Sequence, residues 1–477
     1  MTPAADRIQL ELLLARTDRG ELWRSASGTL VRLLEPRFCD TRFRERLERL
    51  RSGAYPSMVQ IGATGWHGMK FYVEYAVQEN WLLLPKYWEG LHWRTRLPFL
   101  RQVCELLPEW GHAGGYPVGI DPSSIVAVEI AGRWFPWILP CPPVAHASPF
   151  DFLECDEAVL ACVPPETIRG LLPDGRSQDA YSLGILAWQA LGARQADPLR
   201  DPSGRLEAQA CGWMLNCCVE ATAIEPFLQP LTEVIGLAGL AARYTQLDFV
   251  ARPTTPAQLA LACDAAFAAT EPLRLAQQLF QSARSHDALK VVDWGLATFK
   301  PSLQLHLLGA SIAEKLEDFG RATEYLDGAI MLKPTDLGLR FRRCDLRWWV
   351  YRHRPGPTPP RLDAEGEALL QDLEICKQLR TDRHASEPYV RRAFVFRQSG
   401  NLNAAAEELY QATELEQSDI AVVYEYAKVL AELKQPELVR AALAEGIKRA
   451  DLMVKAGMME KSEAQTWRDL FDSLLRG

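Results

Sequence analysis

The residues that most readily bind metal ions, cysteine and histidine, are spread along this chain without metal-binding spacing. The eleven cysteines include the adjacent Cys217 and Cys218 but no Cys-x-x-Cys, and the eight histidines include no His-x-x-x-His pair. A zinc site usually takes such closely spaced ligand pairs. Scattered cysteines such as Cys104 and Cys263 are typical of buried, reduced thiols in a cytosolic protein. We therefore expect no metal site and a cytoplasmic location.

The composition is that of an ordinary globular protein. Its 477 residues are too many for one hydrophobic core and suit two or three domains. The net charge of -8 disfavours a mainly nucleic-acid-binding protein. There is no run of 18 apolar residues that would indicate a transmembrane helix, and acidic residues stand near the N-terminus where a secretory signal has its apolar run.

The most informative local pattern lies between Ala161 and Gly192. Its first part, Val163-Pro-Pro-Glu166, predicts a stiff turn that carries one acid. Its second part, from Asp179 to Gly192, predicts a helix that is apolar nearly all round and therefore buried. We expect Asp179 in the first turn, where the helix dipole favours an acid, and Gly192 at the helix end.

This stretch resembles the large lobe of the protein kinase fold. In that family a Pro-Glu turn closes the activation segment, and an Asp-x-Tyr-Ser-Leu-Gly helix forms the centre of the lobe. Arg252, in Ala-Arg-Pro-Thr-Thr-Pro-Ala-Gln-Leu259, resembles the arginine at the start of the last large-lobe helix. The resemblance implies that Arg252 pairs with Glu166 and that Glu166, Asp179 and Arg252 are structural. It implies a kinase-like domain over residues 1–268, with a small lobe over about 1–78 and a large lobe over about 79–268.

The resemblance also locates the family's phosphate-binding positions. Gly20-Glu-Leu-Trp23 is similar to the end of the glycine-rich loop, whose two earlier glycines would fall on Ala15 and Thr17. Glycine there lets backbone N–H groups approach phosphates, which these residues and the charged Asp18-Arg19 pair would not permit well. The family's strand lysine falls on Arg32, a planar fork rather than a compact ammonium. Glu45 or Glu48, on a predicted helix, could face it.

The catalytic positions are also replaced. In the alignment anchored on Pro122 and Ile125, the catalytic aspartate falls on Gly119 and the metal-binding asparagine on Ser124. Asp121 falls where the family has lysine. The magnesium-binding Asp-Phe-Gly falls on Leu139-Pro140-Cys141-Pro142, which contains no carboxylate. Because phosphoryl transfer depends on metal ligands and charge neutralisation, the resemblance implies a pseudokinase, which keeps the fold without the catalytic groups.

Beyond about residue 268, glycine and proline become rare and an internal period appears. Ala288 and Ala322 occupy equivalent positions 34 residues apart, as do Ala405 and Val439. This is the period of tetratricopeptide repeats, which the region 269–477 resembles. The resemblance implies about five helix hairpins with small residues where paired helices approach.

Two segments depart from this period. The proline-rich residues 354–361 predict a stiff, non-helical insertion in the third hairpin, and residues 460–477 predict an amphipathic capping helix. Residues 340–354 interleave arginines with aromatics, which indicates either a core stripe with a solvated arginine face or a binding site for an acidic protein segment or nucleic acid. The partner-binding candidates are Arg340, Arg343, Arg347, Trp348 and Tyr351.

The sequence thus predicts an α+β bilobal kinase-like domain followed by an all-α tetratricopeptide superhelix. The implied function is a catalytically inactive scaffold or adaptor in bacterial signalling, secretion or complex assembly. It would bind protein partners through the repeat groove and the pseudokinase surface, without a cofactor. One alternative is a nucleotide-sensing regulator. Another is a divergent nucleotide-dependent transferase that uses Arg32 and Asp121.

Overall fold

The computed structural model of the chain describes residues 8–17, 19–52, 59–77, 80–114, 120–142, 152–171, 175–192, 224–253, 255–353, 362–379, 386–416 and 418–476. The chain divides into two compact units, Met1–Arg274 and Leu275–Gly477. Within the described ranges, no helix is long and apolar enough to cross a membrane.

An antiparallel sheet opens the first unit. Its strand order is β1-β2-β3-β5-β4, and β3 is buried along its whole length. Helix α1 packs beside β4 and buries Phe43, Leu47 and Leu50, a spacing that places all three on one helix face. The bounds are β1 (Leu10–Thr17), β2 (Gly20–Ser25), β3 (Leu30–Leu34), α1 (Thr41–Ser52), β4 (Gln60–His67) and β5 (Lys70–Ala76).

The rest of the first unit is mainly helical, with a small antiparallel sheet of order β6-β7-β8. Helix α6 packs against α3 and α7, and α8 packs against α3 and α7. The bounds are β6 (Trp81–Leu83), α2 (Leu84–Trp88), α3 (Trp93–Gly114), β7 (Ile125–Ile130), β8 (Arg133–Ile138), α4 (Glu157–Ala161), α5 (Pro165–Ile168), α6 (Gly175–Ala190), α7 (Thr232–Tyr244) and α8 (Ala257–Ala269).

Helix α6 is the buried helix predicted from the sequence, but it starts earlier. It begins at Gly175, so the prediction that Asp179 lies in the first turn is wrong. Asp179 instead accepts a hydrogen bond from Ile120 N at 2.9 Å, which gives this buried carboxylate a partner outside its own helix. The helix ends at Ala190, and Gly192 follows with a positive φ of 79°.

The second unit is a series of helices that pack each against the next from α10 onward. Helices α10 and α12 start 34 residues apart, as do α11 and α13, and α16 and α18. The bounds of the series, whose first helix spans the division between the units, are α9 (Pro272–Gln281), α10 (Ser285–Thr298), α11 (Leu303–Lys315), α12 (Phe319–Leu332), α13 (Leu337–Arg352), α14 (Ala364–Leu379), α15 (Glu387–Gln398), α16 (Leu402–Leu415), α17 (Ile420–Glu432), α18 (Pro436–Lys455) and α19 (Lys461–Arg476).

Local sequence explains these helices. Five of them, α11, α12, α13, α16 and α17, have an N-cap side chain that accepts from a backbone N–H of the first turn: Ser302, Asp318, Asp336, Asn401 and Asp419. Ala288, Ala322 and Ala405 are buried where helices meet, and a Cβ at Gly309 would lie 2.9 Å from the Tyr325 ring. The predicted fold class is therefore confirmed. The proline-rich residues 354–361 lie outside the described residues, between α13 and α14.

Candidate functional site

The β1–β2 turn stands where the kinase family has its glycine-rich loop. Arg19 N donates to Thr17 Oγ1 at 3.2 Å, and Thr17 Oγ1 donates to Gly20 O at 3.0 Å. Gly20 has φ 145°, and a Cβ there would lie 1.9 Å from Leu33 O, so only glycine fits. The turn is therefore held by its own hydrogen bonds, and the backbone N–H of Arg19 already has an acceptor in Thr17 Oγ1.

Arg19 joins this turn to the large-lobe loops. Its guanidinium forms an ion pair with Asp121 and donates to Pro142 O through Nη1 at 2.9 Å. The two side chains are each 3% exposed. The cavity beside them, which Asp179 also lines, measures about 20 Å³. That volume suits one water molecule, whereas ligand pockets usually measure about 300–1,000 Å³.

Asp121 is also the cap of the turn that follows it. Its Oδ1 accepts from Ser123 N at 2.7 Å, Ser124 N at 2.9 Å and Ser123 Oγ at 2.5 Å. Ser124, at the metal-binding asparagine position, accepts from Asp121 N and donates to Asp121 O. Both residues are buried, and their polar atoms hold the loop in shape.

Arg32 is fully buried, and its Nη2 donates to Ser123 O at 3.1 Å. Its Nε and Nη1 have no hydrogen-bond partner among the described residues. Burial by itself lowers the pKa of Arg32, but the neighbouring Cys141, Tyr75 and Asp121 outweigh it, and the pKa is raised overall. The guanidinium therefore stays charged and faces the catalytic-loop equivalent.

Neither proposed acid of α1 faces Arg32. Glu45 and Glu48 are exposed, because the inward face of α1 is formed by apolar residues and by Arg46. Burial lowers the pKa of Arg46, although the charge of Asp179 acts in the opposite direction. Among the described residues, neither acid of α1 therefore pairs with Arg32, and α1 buries Arg46 instead of an acid.

Residues 139–142, which align with the magnesium-binding motif of the kinase family, are held by hydrogen bonds to their backbone atoms. Tyr75 OH donates to Pro140 O at 2.6 Å, and Leu139 N donates to Ser124 O at 2.7 Å. Burial raises the pKa of Tyr75, so it remains a neutral donor. Gly119, at the catalytic aspartate position, lies outside the described residues.

Glu166 and Arg252 form the ion pair that the resemblance implies. Arg252 forms a bidentate pair with Glu166, with Nη2 donating to Oε2 at 2.9 Å, and both side chains are buried. Arg252 also donates to Gln246 O at 2.7 Å and lies over the Tyr181 ring. The arginine therefore links the α5 turn, α6 and the segment before α8.

Sequence reasoning missed the roles of Arg19 and Arg46. The signal for Arg19 was a charged residue in a loop where the family has glycine, which was interpreted only as an obstacle to phosphate binding. The signal for Arg46 was weaker, because α1 carries five arginines and only its register on the sheet decides which one is buried.

In the second unit, all three candidate arginines on α13 have partners within the chain. Arg343 pairs with Asp327 of α12 and Asp372 of α14, and Arg347 donates to Asp372 at 2.6 Å. Arg340 donates to Pro334 O at 2.9 Å. Two of these candidates thus hold neighbouring helices together.

The prediction that Tyr351 binds a partner is wrong. It is 5% exposed and lies in a core cluster with Cys344 and Leu369, so it is not available to a partner. Its position on the inward face of α13 follows from the seven-residue spacing between Cys344 and Tyr351, which places both on the same side of the helix.

Trp348 is the candidate that lines a groove. The cavity there measures about 290 Å³ and is formed by α13, α15, α16 and α17, with Phe394 and Arg397 of α15 and Lys428 of α17 among its lining residues. Trp348 and Phe394 pack edge to face at 4.5 Å. Arg397 is shared by Glu425 and Glu432. No sequence pattern indicated this set of residues, because three repeats contribute to it.

Comparisons with known proteins give structural similarity only. No protein-family model matches the chain, and no curated protein matches it. In its N-terminal part the chain is similar to the crystal structure of the Mycobacterium tuberculosis PknI kinase domain, with 16% identity and a TM-score of 0.35, over 55% of this chain and 96% of that chain.

The C-terminal helical region is similar to MamA. The structure of MamA 41-end from Desulfovibrio magneticus RS-1 is 12% identical with a TM-score of 0.28, over 38% of this chain and 95% of that chain. A second MamA structure is 10% identical with a TM-score of 0.31, over 39% and 96%. By its own strand order and helix repeats, the chain combines a protein kinase-like N-terminal unit with a tetratricopeptide-like C-terminal unit.

Proposed function

We propose that this protein is a catalytically inactive kinase-like scaffold that binds protein segments, with its repeat groove as one binding surface. The observation that carries the proposal is the buried Arg19–Asp121 pair. It places the protein's own cation and anion between the loops that would have to hold a nucleotide and its metal. Arg32, the lysine equivalent, is fully buried against Ser123 O.

The chemistry of the cleft supports the same proposal. Phosphoryl transfer needs a base, metal ligands and accessible N–H donors. Here Asp121 is engaged by Arg19 and by three donors of the next turn, and Ser124 caps that turn. A transferase that used Arg32 and Asp121 would have to break this buried ion pair.

The repeat unit supports a binding role. Its groove combines an apolar floor, which includes Val390 and Leu409, with charged side chains at the rim. Tetratricopeptide-like units present such surfaces to peptide segments. A role in bacterial signalling, secretion or complex assembly belongs to this proposal by analogy of fold.

Nucleotide binding and transfer provide the first test. We expect no change in melting temperature with up to millimolar ATP, ADP or GTP, with or without Mg²⁺, and no transfer of radiolabelled phosphate to the protein or to casein. A ligand at a hundredfold excess over its dissociation constant stabilises the folded state by about 2.7 kcal/mol, which such an assay detects. Magnesium-dependent phosphoryl transfer would overturn the proposal. Metal-independent nucleotide binding would favour the alternative function, a nucleotide-sensing regulator.

The groove provides the second test. Affinity purification from the cells of origin should recover a partner with the wild type, lose it with Trp348→Ala and retain it with Trp349→Ala. Trp349 is the adjacent residue on α13 and is not among the residues lining the groove. Equal recovery with both variants would exclude the groove as the binding surface.

A further inference from the structure

Two cysteine side chains are in contact inside the third helix hairpin of the second unit. Cys344 of α13 and Cys376 of α14 are both fully buried, and their Sγ atoms lie 3.9 Å apart. Both are reduced thiols. A disulfide bond is about 2.05 Å long, so the sulfurs would have to approach by about 2 Å more. Rotation about the Cα–Cβ bonds covers such a distance, and the two helices need not be rearranged.

Neighbouring side chains hold the two helices in register around these thiols. Arg343, which precedes Cys344 on α13, pairs with Asp372 of α14. Asp372 also accepts from Arg347 at 2.6 Å and lies one helical turn before Cys376. The two cysteines belong to the same core cluster. The sulfurs are therefore held opposite each other, and a reaction between them is intramolecular.

The chain connection between α13 and α14 is longer than in neighbouring hairpins. It consists of residues 353–363, which include four prolines. Residues 316–318 alone join α11 to α12, and residues 399–401 alone join α15 to α16. A longer connection costs more entropy to close and restrains the separation of its two helices less. The third hairpin is therefore where opening is least restrained and where a cross-link removes most freedom from the unfolded chain.

We propose that Cys344 and Cys376 are a site of reversible oxidative modification, at which a disulfide cross-links α13 to α14. The oxidant is a low-molecular-weight disulfide such as oxidised glutathione. One cysteine thiolate attacks a glutathione sulfur, forms a mixed disulfide and releases one glutathione. The second cysteine attacks the protein sulfur of that mixed disulfide and releases the other glutathione. The protein loses two protons and two electrons, and oxidised glutathione is reduced to two thiols.

The first step requires the hairpin to open. The hydrogen bond with Cys376, together with burial, raises the pKa of Cys344, whereas the thiolate is the reactive form. The second step follows when the hairpin closes and returns the sulfurs to contact. The cross-link does not depend on the proposed function. Its consequence for binding does, because α13 also carries Trp348 and the cross-link would fix that wall of the groove.

The test incubates the reduced full-length protein with millimolar oxidised glutathione, with and without a low concentration of urea. Remaining thiols are then blocked with iodoacetamide, and peptides are mapped by mass spectrometry with and without reduction. The variants are Cys344→Ala and Cys376→Ala. The matched control is Cys263→Ala, which removes an equally buried thiol from α8 of the first unit.

We expect the wild type and Cys263→Ala to yield a peptide in which Cys344 is cross-linked to Cys376. The other two variants should instead retain glutathione on the remaining cysteine. Low urea should accelerate the reaction, because it favours the open hairpin. The cross-link should raise the melting temperature of the wild type by about 5 °C or more, and dithiothreitol should reverse the rise.

Four results would overturn the inference. In the wild type these are no oxidation of either thiol even in low urea, stable glutathione adducts without a cross-link, pairing of either cysteine with a different one, and a cross-link that leaves the melting temperature unchanged. All four are measured on the wild type, so the test stands even where a variant does not fold. None of them changes the nucleotide assays, and phosphoryl transfer would overturn the proposed function without affecting the cross-link.

Discussion

At the scale of single residues, the bidentate pair of Glu166 and Arg252 shows how buried charge is arranged in the first unit. Both groups are almost fully removed from water, so each depends on the other. Loss of one partner leaves an uncompensated buried charge, which costs about 3–5 kcal/mol. We therefore expect Glu166→Gln and Arg252→Met each to lower the free energy of unfolding by about that amount.

The double variant distinguishes a pair from two independent contributions. With both charges removed, the loss measured by urea denaturation should be clearly smaller than the sum of the single losses. Additive losses would show that the two side chains act separately. Arg16→Met, a change of the same type at an exposed side chain, should alter stability by less than about 0.5 kcal/mol.

We expect His306 to make the stability of the second unit depend on pH. Burial lowers its pKa below the ordinary value of 6.5, and its Nδ1 is buried without a hydrogen-bond partner among the described residues. Between the lowered folded pKa and 6.5, the unfolded chain holds more protons than the folded one. Stability should therefore fall as pH falls through this window.

The measurement is the free energy of unfolding of the wild type and of His306→Gln at pH 7.5, 6.5 and 5.5. Glutamine does not titrate, so the difference between the two proteins isolates the contribution of this histidine. The wild type should lose more stability than the variant on acidification. Parallel curves would contradict the prediction.

Some roles of individual residues could be predicted from sequence, and others could not. Glu166 and Arg252, which are 86 residues apart, could be paired because both lie in motifs that resemble those of the protein kinase family. The partner of Arg19 could not be predicted, because Arg19 and Asp121 both depart from the family's pattern at their positions. The exposure of Glu45 and Glu48 depends on how α1 is rotated against the sheet, which the alternation of charges in the sequence does not determine.

At the scale of secondary structure elements, Gly184 controls the approach of α6 to α7. A Cβ at this position would lie 2.7 Å from Tyr244 Cβ and 3.1 Å from Ala241 O, both of them firmly held atoms. We expect Gly184→Ala to lower the free energy of unfolding by about 1–3 kcal/mol, because the helices must separate. Chemical denaturation measures the change.

The control for Gly184 is a glycine on α7 itself. Gly236 is exposed, and a Cβ there would have no heavy atom within 4 Å. Alanine should stabilise the helix at this position by about 0.5–1 kcal/mol, because it restricts the unfolded chain. Destabilisation by both substitutions to a similar extent would mean that the close helix contact is not the cause.

Elements with a long, regular pattern were the most predictable. The repeat period located α10, α12, α16 and α18, since small residues recur where hairpins close. The start of α6 was predicted too late, because Gly175–Gln178 contain no apolar residue that would have extended the pattern. On α13, an arginine-rich face suggested a binding surface, but Asp327 and Asp372 of neighbouring helices neutralise much of it.

At the scale of the whole molecule, the two units place their ion pairs in different environments. In the first unit, the Arg19–Asp121 and Glu166–Arg252 side chains are at most 4% exposed. In the second unit, some pairs that join helices of neighbouring hairpins are more exposed, with Arg321–Asp293 between α10 and α12 at 38% and 48% and Arg397–Glu432 between α15 and α17 at 26% and 40%. Salt screens exposed pairs far more than buried ones.

This difference predicts an unequal response to ionic strength. An increase from 0.05 to 0.5 M NaCl shortens the Debye length from about 14 Å to about 4 Å, and it should weaken the helix-joining pairs of the second unit. Each pair contributes at most about 1 kcal/mol, but several act along one array whose stability is the sum of neighbouring contacts. Hydrogen exchange measured by mass spectrometry should therefore show faster exchange at high salt in peptides of α11–α18.

Peptides from α6 serve as the internal reference, because they come from the same molecules in the same solution. Their exchange should change little, since the ion pairs beside α6 are shielded from solvent. Arg397→Gln should reduce the salt response of α15 and α17, because it removes the cation shared by Glu425 and Glu432. An equal salt response in both sets of peptides would show that general charge repulsion, rather than the exposed pairs, governs the stability of the repeat unit.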